Sequence, residues 1–177
     1  MPLSADHFKS AMRRWGSGVS ILTTRREGGI MGITVSSFCS VSLAPPMILV
    51  CIDKKARSHQ LIERHRAFAI NVLKTGQERL SELAAGHAGE QGNWLEGVPY
   101  RKAETGAPIL NECLAWFDCM LQTIHDGGDH TIFVARVEAA GHSEGRPLLY
   151  YEGDYHRLAE PRPRHHGGSR PGRERKP

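Results

Sequence analysis

Six consecutive residues, Asp53-Lys54-Lys55-Ala56-Arg57-Ser58, set three cations, a carboxylate and a hydroxyl between an apolar run and a helical pattern. A helix start presents outward backbone N–H groups and the positive end of the macrodipole, so such a turn can hold a terminal phosphate without a Walker-type glycine loop. The same residues also suit a solvated basic turn with Ser58 as N-cap. Thr34-Val35-Ser36-Ser37 closes one β-rich run and begins the next with three hydroxyls in four positions, donors and acceptors able to read a planar heterocycle, although strands and corners carry Thr and Ser without any ligand too. Gly127-Gly128-Asp129-His130 puts an imidazole at a hairpin tip, where the glycines permit positive φ and the ring can stack, donate or bind. His125 and His130 lie five apart across that tight turn with no third strong ligand, so no metal is expected. Gly-x-Ser-x-Gly, Gly-x-Gly-x-x-Gly and Walker patterns are all missing, so any nicotinamide must bind without a Rossmann unit.

The elements that position these groups are mostly strands. Residues 4–15 place Phe8, Met12 and Trp15 at helical spacing behind Ser4 as N-cap, and predict a short amphipathic helix. Runs at 19–24 and 30–36 flank Glu27-Gly28-Gly29 and predict a hairpin. After 37–42, the Ala44-Pro45-Pro46 break precedes an apolar run, 47–52, expected to be buried on both faces at the sheet centre. A helix at 58–66, a strand at 67–73 and a helix at 77–85 follow. Residues 86–108 are rich in Gly, Pro and polar side chains and predict a long surface excursion pinned by Trp94 and Tyr100. Residues 113–124 and 131–139 alternate as two long antiparallel strands, and 147–151 and 154–158 add two short ones. About eight strands, a few short helices and no βαβ rhythm predict a mainly β domain, an antiparallel barrel with helices packed on its ends.

Charge sharpens this division. The 177 residues carry a net +4. Residues 1–159 hold 17 Lys and Arg against 17 Asp and Glu, so the excess belongs to 160–177, a Pro, Gly and Arg-rich tail expected to be disordered. A neutral body argues against a nucleic-acid partner, although a binder acting through the tail is one alternative. No apolar run approaches a membrane span, and the first seven residues lack the order of a secretory signal, so the expectation is a cytoplasmic protein without membrane contact. Cys39, Cys51, Cys113 and Cys119 lie in apolar stretches without a Cys-x-x-Cys pair and are expected to be four buried free thiols.

Taken in order, the segments resemble the short-chain flavin reductase family, FMN-binding split barrels that supply reduced flavin to two-component monooxygenases. The resemblance runs from Gly18-Val19-Ser20-Ile21-Leu22-Thr23-Thr24 through Gly32-Ile33-Thr34-Val35-Ser36-Ser37-Phe38, Ser42-Leu43-Ala44-Pro45-Pro46 and Val50-Cys51-Ile52-Asp53. It continues in Phe68-Ala69-Ile70-Asn71-Val72-Leu73, Gly127-Gly128-Asp129-His130 and Pro147-Leu148-Leu149-Tyr150-Tyr151. It implies an antiparallel split β-barrel domain over residues 1–159, with Thr34, Val35, Ser36 and Ser37 at the isoalloxazine ring and Cys51 among the cofactor-binding residues. It also implies Asp53, Lys54, Lys55, Ala56, Arg57 and Ser58 at the ribityl chain and phosphate, and Ala84 and Ala85 lining the flavin. His130, Tyr150 and Tyr151 would contact the nicotinamide, His130 as the catalytic residue. Many members carry His, Asn and Ser where this chain has Met31, Ser36 and Ala56. The implied activity is NADH- or NADPH-dependent reduction of FMN, or of FAD, by a homodimer that passes reduced flavin to a separate monooxygenase. A flavin-binding carrier of the same fold without efficient NADH turnover is the other reading of this resemblance.

Overall fold

The computed structural model describes residues 2–86 and 95–159. Helix α1 (Ala5–Met12) is followed by β1 (Ser17–Gly18), β2 (Ser20–Arg26), β3 (Gly29–Val35), β4 (Cys39–Leu43), β5 (Pro46–Asp53), α2 (Arg57–His65), β6 (Ala67–Val72) and α3 (Glu78–Ala84). A small hairpin, β7 (Tyr100–Lys102) and β8 (Pro108–Leu110), precedes the long strands β9 (Ala115–Gly127) and β10 (His130–His142), and β11 (Leu148–Tyr151) and β12 (Asp154–Arg157) end the described chain. Seven strands form one antiparallel sheet in the order β3-β2-β6-β9-β10-β5-β4.

The edge strands β3 and β4 are neighbours in sequence, joined only by Ser36, Ser37 and Phe38. Three linking residues reach roughly 14 Å at full extension, so the sheet must curl until its edges nearly meet. They do not pair. Instead the Ser37 hydroxyl donates to the Cys51 carbonyl at 2.8 Å and accepts from the Cys51 N–H at 3.3 Å, which ties the corner to β5. The barrel is therefore split, as the resemblance implies, and α2 packs against β2, β3, β5 and β6.

Alternation decides what fills each side. Leu22, Val50, Ile52, Phe68, Ile70 and Phe133 meet inside the barrel with Ile62 of α2. The opposite faces of β2 and β3 bury Ile21 and Ile30, with Val19 just before β2, against Leu73, Ala84 and Leu148. Strand β6 is thereby covered on both sides and buries its first five residues. That corrects the expectation for 47–52: β5 lies next to the sheet edge, and its residues alternate between buried and half-buried. Ile48, Val50 and Ile52 pack into the core with Ile62 of α2 and Phe38 of the corner, whereas Met47, Leu49 and Cys51 on the other face stay half-buried.

Four other expectations change. Ser58 is not a cap: Ala56 occupies that position with no side-chain cap bond, and Ser58 is buried in the first turn of α2. Cys113 and Cys119 are buried free thiols, but Cys51 is half-buried and Cys39 exposed because β4 is an edge strand. Ser4 caps α1 by accepting from the His7 N–H at 3.2 Å, yet none of the helix is buried, and Phe8, Met12 and Trp15 are 56%, 50% and 72% exposed. The 86–108 segment is held by Thr105, whose backbone N–H donates to the buried Asp118 carboxylate at 2.8 Å, and by Arg101 over the Trp116 ring at 5.0 Å. Tyr100 is exposed rather than pinning it, and Trp94 lies outside the described residues, as does the 160–177 tail. No helix of the described residues is long and apolar enough to cross a membrane.

Candidate functional site

The predicted groups lie along the barrel seam, with Ser37 and Cys51 between two ends. At the first end, β3 finishes beside α3, where the Thr34 hydroxyl donates to the Ser81 carbonyl at 2.6 Å. Thr34, Val35 and Ser36 then line a cleft of about 200 Å³ with Ala85, Tyr150 and Tyr155. Ala85 lines the cleft, and Ala84 is buried beside it in the core cluster that also holds Val19, a residue of the cleft wall. Small side chains at Ser81 and Ala85 leave the space open. Tyr150 sits edge-on to Tyr155 with ring centroids 5.5 Å apart. A second cleft of about 330 Å³ adjoins, shares Ser36 and Tyr150 with the first, and is walled by Met12 and Trp15 at the end of α1 and by Tyr151.

The other end is built from β5 and the β9–β10 hairpin, whose register sets Asp53 opposite His130. The Lys54 N–H donates to the Asp129 carbonyl at 3.1 Å. The Lys54 ammonium donates to the Asp126 carboxylate and to the Gly128 carbonyl, which holds Asp126 below the usual carboxylate range. Gly128 has φ 81, a conformation that the turn requires and that glycine adopts without strain. Asp53 accepts from the Lys55 N–H at 2.8 Å and shapes the turn. Of the three predicted phosphate cations, Lys54 is thus committed to the hairpin. Lys55 and Arg57 make no ion pair among the described residues. The buried Ser58 hydroxyl has no hydrogen-bond partner among the described residues, and the same holds for the Ser81 hydroxyl at the first end.

His130 is 44% exposed at this tip, and its Nδ1 meets the Asp129 carboxylate at 2.7 Å. That contact makes Nδ1 the proton-bearing nitrogen and leaves Nε2 for a ligand. It also holds Asp129 below the usual carboxylate range. Burial pushes the Cys51 thiol up, with Cys39 adding to the effect, so Cys51 is a neutral wall of the seam rather than a nucleophile. No three potential metal ligands converge among the described residues.

The seam therefore brings Thr34, Val35, Ser36, Ser37, Cys51 and the 53–58 turn into one strip. It divides the predicted nicotinamide contacts, with Tyr150 and Tyr151 at the Ser36 end and His130 at the Asp53 end. Trp15, Ser81 and Tyr155 were not read from the sequence as site residues. The small-residue face of 77–85 signals Ser81; the two aromatic residues carry no local signal, because distant segments bring them in. An elongated ligand with a planar ring and a terminal phosphate fits the strip. The ring end is walled by aromatic and hydroxyl groups, and the far end offers two cations and an unpartnered buried hydroxyl.

Comparison with known proteins bears on this geometry. The family model described as a flavin reductase like domain matches residues 12–159. The chain is 34% identical over 154 residues to FMN reductase (NADH) RutF 2 of Rhizobium rhizogenes, covering 86% of this chain and 88% of that protein. It is 34% identical over 151 residues to HsaB of Mycobacterium tuberculosis, the reductase subunit of a flavin-dependent monooxygenase, covering 84% and 79%. Among solved structures, the NADH:FAD oxidoreductase SgcE6 of Streptomyces globisporus C-1027 superposes with TM-score 0.81 at 31% identity, covering 90% of this chain and 96% of that one.

Proposed function

The chain belongs to the flavin reductase like family, and from that premise we propose that it is an NAD(P)H:flavin oxidoreductase that reduces FMN or FAD and supplies the product to a separate monooxygenase. The observation that carries this reading is the seam itself, where a ring cleft, a hydroxyl corner and a cationic turn follow one another in the order in which a flavin presents its ring, ribityl chain and phosphate. When bound, the flavin supplies the hydride-accepting N5, so the protein needs no nucleophile of its own.

The chain's own residues supply position and charge. Thr34, Val35, Ser36 and Ala85 hold the ring plane, and Tyr150 and Tyr151 bound the open side where a reduced nicotinamide stacks. Ser37 and Cys51 form the wall under the ribityl chain. Lys55, Arg57 and the first N–H groups of α2 hold the phosphate with Ser58, while Asp53, Lys54 and Ala56 shape the turn that presents them. His130, oriented by Asp129, presents Nε2 at the Asp53 end of the strip, where it contacts the pyridine nucleotide away from the ring cleft rather than acting as a base.

A homodimer belongs to the same proposal, as does a cytoplasmic setting. Helix α1 buries none of its residues, and the exposed Phe8, Met12 and Trp15 together with Tyr150 give an apolar surface that a second copy would cover. Sedimentation should show a dimer, and the double variant Phe8→Ser, Trp15→Ser a monomer; a monomeric parent chain would remove this part of the reading.

The experiment for the activity is direct. The purified protein is mixed with NADH or NADPH and with riboflavin, FMN or FAD under anaerobic conditions, and flavin bleaching is followed by stopped flow. Bleaching over many turnovers is the expected result. Binding of flavin without bleaching would leave a carrier and overturn the oxidoreductase reading.

A further inference from the structure

Along the outer face of α2 runs a groove of about 890 Å³ whose opposite wall is the β2–β3 hairpin. Arg57, Gln60, Leu61 and Arg64 contribute from the helix at i, i+3, i+4 and i+7 spacing, which places them on one face. Arg25, Arg26 and Met31 contribute from the hairpin. In a body whose formal charges cancel, this groove gathers four arginines against the single carboxylate of Glu27. Arg57 and Arg64 make no ion pair among the described residues, and Arg26 donates only to the neighbouring Glu27 carbonyl, at 3.4 Å. Unpaired guanidinium groups lining one concave surface suit an anion, and planar guanidinium suits a phosphate joined to an aromatic base.

Two features narrow the ligand. Leu61 and Met31 are half-buried and give the groove an apolar floor between its charges, which a free phosphate does not use and a heterocyclic base does. Arg57 belongs both to the groove and to the phosphate turn at the start of α2. The groove therefore begins where the flavin phosphate would end and continues along α2 for about 12 Å at 1.5 Å per residue.

We propose that this groove binds the adenosine monophosphate half of FAD and makes the chain prefer FAD over FMN; this rests on the reading of the 53–58 turn as the flavin phosphate site. Arg57 stands at the two adjoining phosphates, Leu61 with Met31 supports the adenine, with the Gln60 amide available to its edge, and Arg64 and Arg26 close the far end of the groove with planar guanidinium groups that suit the adenine ring.

The test compares the full chain with the variant Arg26→Glu, Arg64→Glu, neither residue being part of the ring cleft or the phosphate turn. Flavin affinity is read by fluorescence quenching, NADH KM is read with FMN as acceptor, and circular dichroism checks the fold. The parent chain should bind FAD about tenfold more tightly than FMN, and the variant should bind FAD only as tightly as FMN, with FMN affinity kept within about twofold. Added adenosine monophosphate should weaken FAD binding and leave FMN binding unchanged. Equal affinity for the two flavins in the parent chain, or equal losses for both in the variant, overturns the proposal. So does a raised NADH KM with FAD affinity intact, which would assign the groove to the nicotinamide's adenylate. If the variant does not fold, Arg64→Gln carries the same comparison. Failure of NADH to bleach bound flavin overturns the oxidoreductase reading and leaves these affinities standing; if neither flavin binds, the phosphate-turn reading and this proposal fall together.

Discussion

The two ends of the seam are built by opposite means. The Asp53 end is made of adjacent strands and a two-residue hairpin turn, and backbone pairing, the Lys54 ties and the Asp53 bond to the Lys55 N–H hold it in place. The Tyr150 end draws on α1, β3, α3, β11 and β12, with one short hydrogen bond from Thr34 to Ser81 and aromatic side chains left partly open. A phosphate is a compact charge that rewards fixed donors, whereas stacked rings need flat apolar walls that can adjust. On the proposed reading, the rigid end would select for the phosphate and the open end would accept any molecule carrying the ring.

Four substitutions break that contrast in different places. The largest effect is expected from Ala85→Trp, which fills the ring cleft from an exposed helix end and so spares the core. Riboflavin, FMN and FAD should all weaken, by about 100-fold or more by equilibrium titration, and a loss confined to the phosphorylated flavins would show that the cleft is not the ring site. Next, Arg57→Ala should weaken FMN by about tenfold, the scale of one charge-assisted hydrogen bond, and leave riboflavin unchanged; equal losses would remove the phosphate assignment. His130→Ala should raise the NADH KM about fivefold while FMN affinity stays near the parent value, and unchanged NADH kinetics would sink its role.

The smallest effect concerns acid stability. Lys54 lowers the pKa of Asp126, so this pair contributes stability above the unfolded carboxylate value, about 4, and loses it as pH falls toward the folded value. Lys54→Ala should therefore unfold at a lower urea concentration near about pH 6, and the gap to the parent chain should narrow near about pH 3. A gap independent of pH would mean that the ammonium works through the Gly128 carbonyl alone.

Legibility in the sequence followed the range of the interactions. The Gly127-Gly128-Asp129-His130 hairpin, the strand alternation around it and the Ser4 cap are local and were readable. The 53–58 turn was readable as a charge cluster, but the commitment of Lys54 to Asp126 depends on β5 lying beside β10, which spacing alone does not state. Ser58 as N-cap failed as a reading because an N-cap and a residue two positions later have the same local sequence context. The placement of Tyr155 and Trp15 at the ring cleft, and the pairing of Arg25 with Arg64 across one groove, arise from closure of the barrel and had no local signature. The family resemblance supplied the split barrel as a whole, where periodicity alone gave only an antiparallel barrel with helices at its ends.

The bond between Ser37 and Cys51 bears on timing. A strand ladder that closes a barrel opens only with cooperative loss of many bonds, but this seam is latched at its corner by one exposed side chain making two hydrogen bonds. Such a latch can open and reclose without melting either strand. Loss of those two bonds would widen the corner between β3 and β4 while the paired strands on either side stay in register.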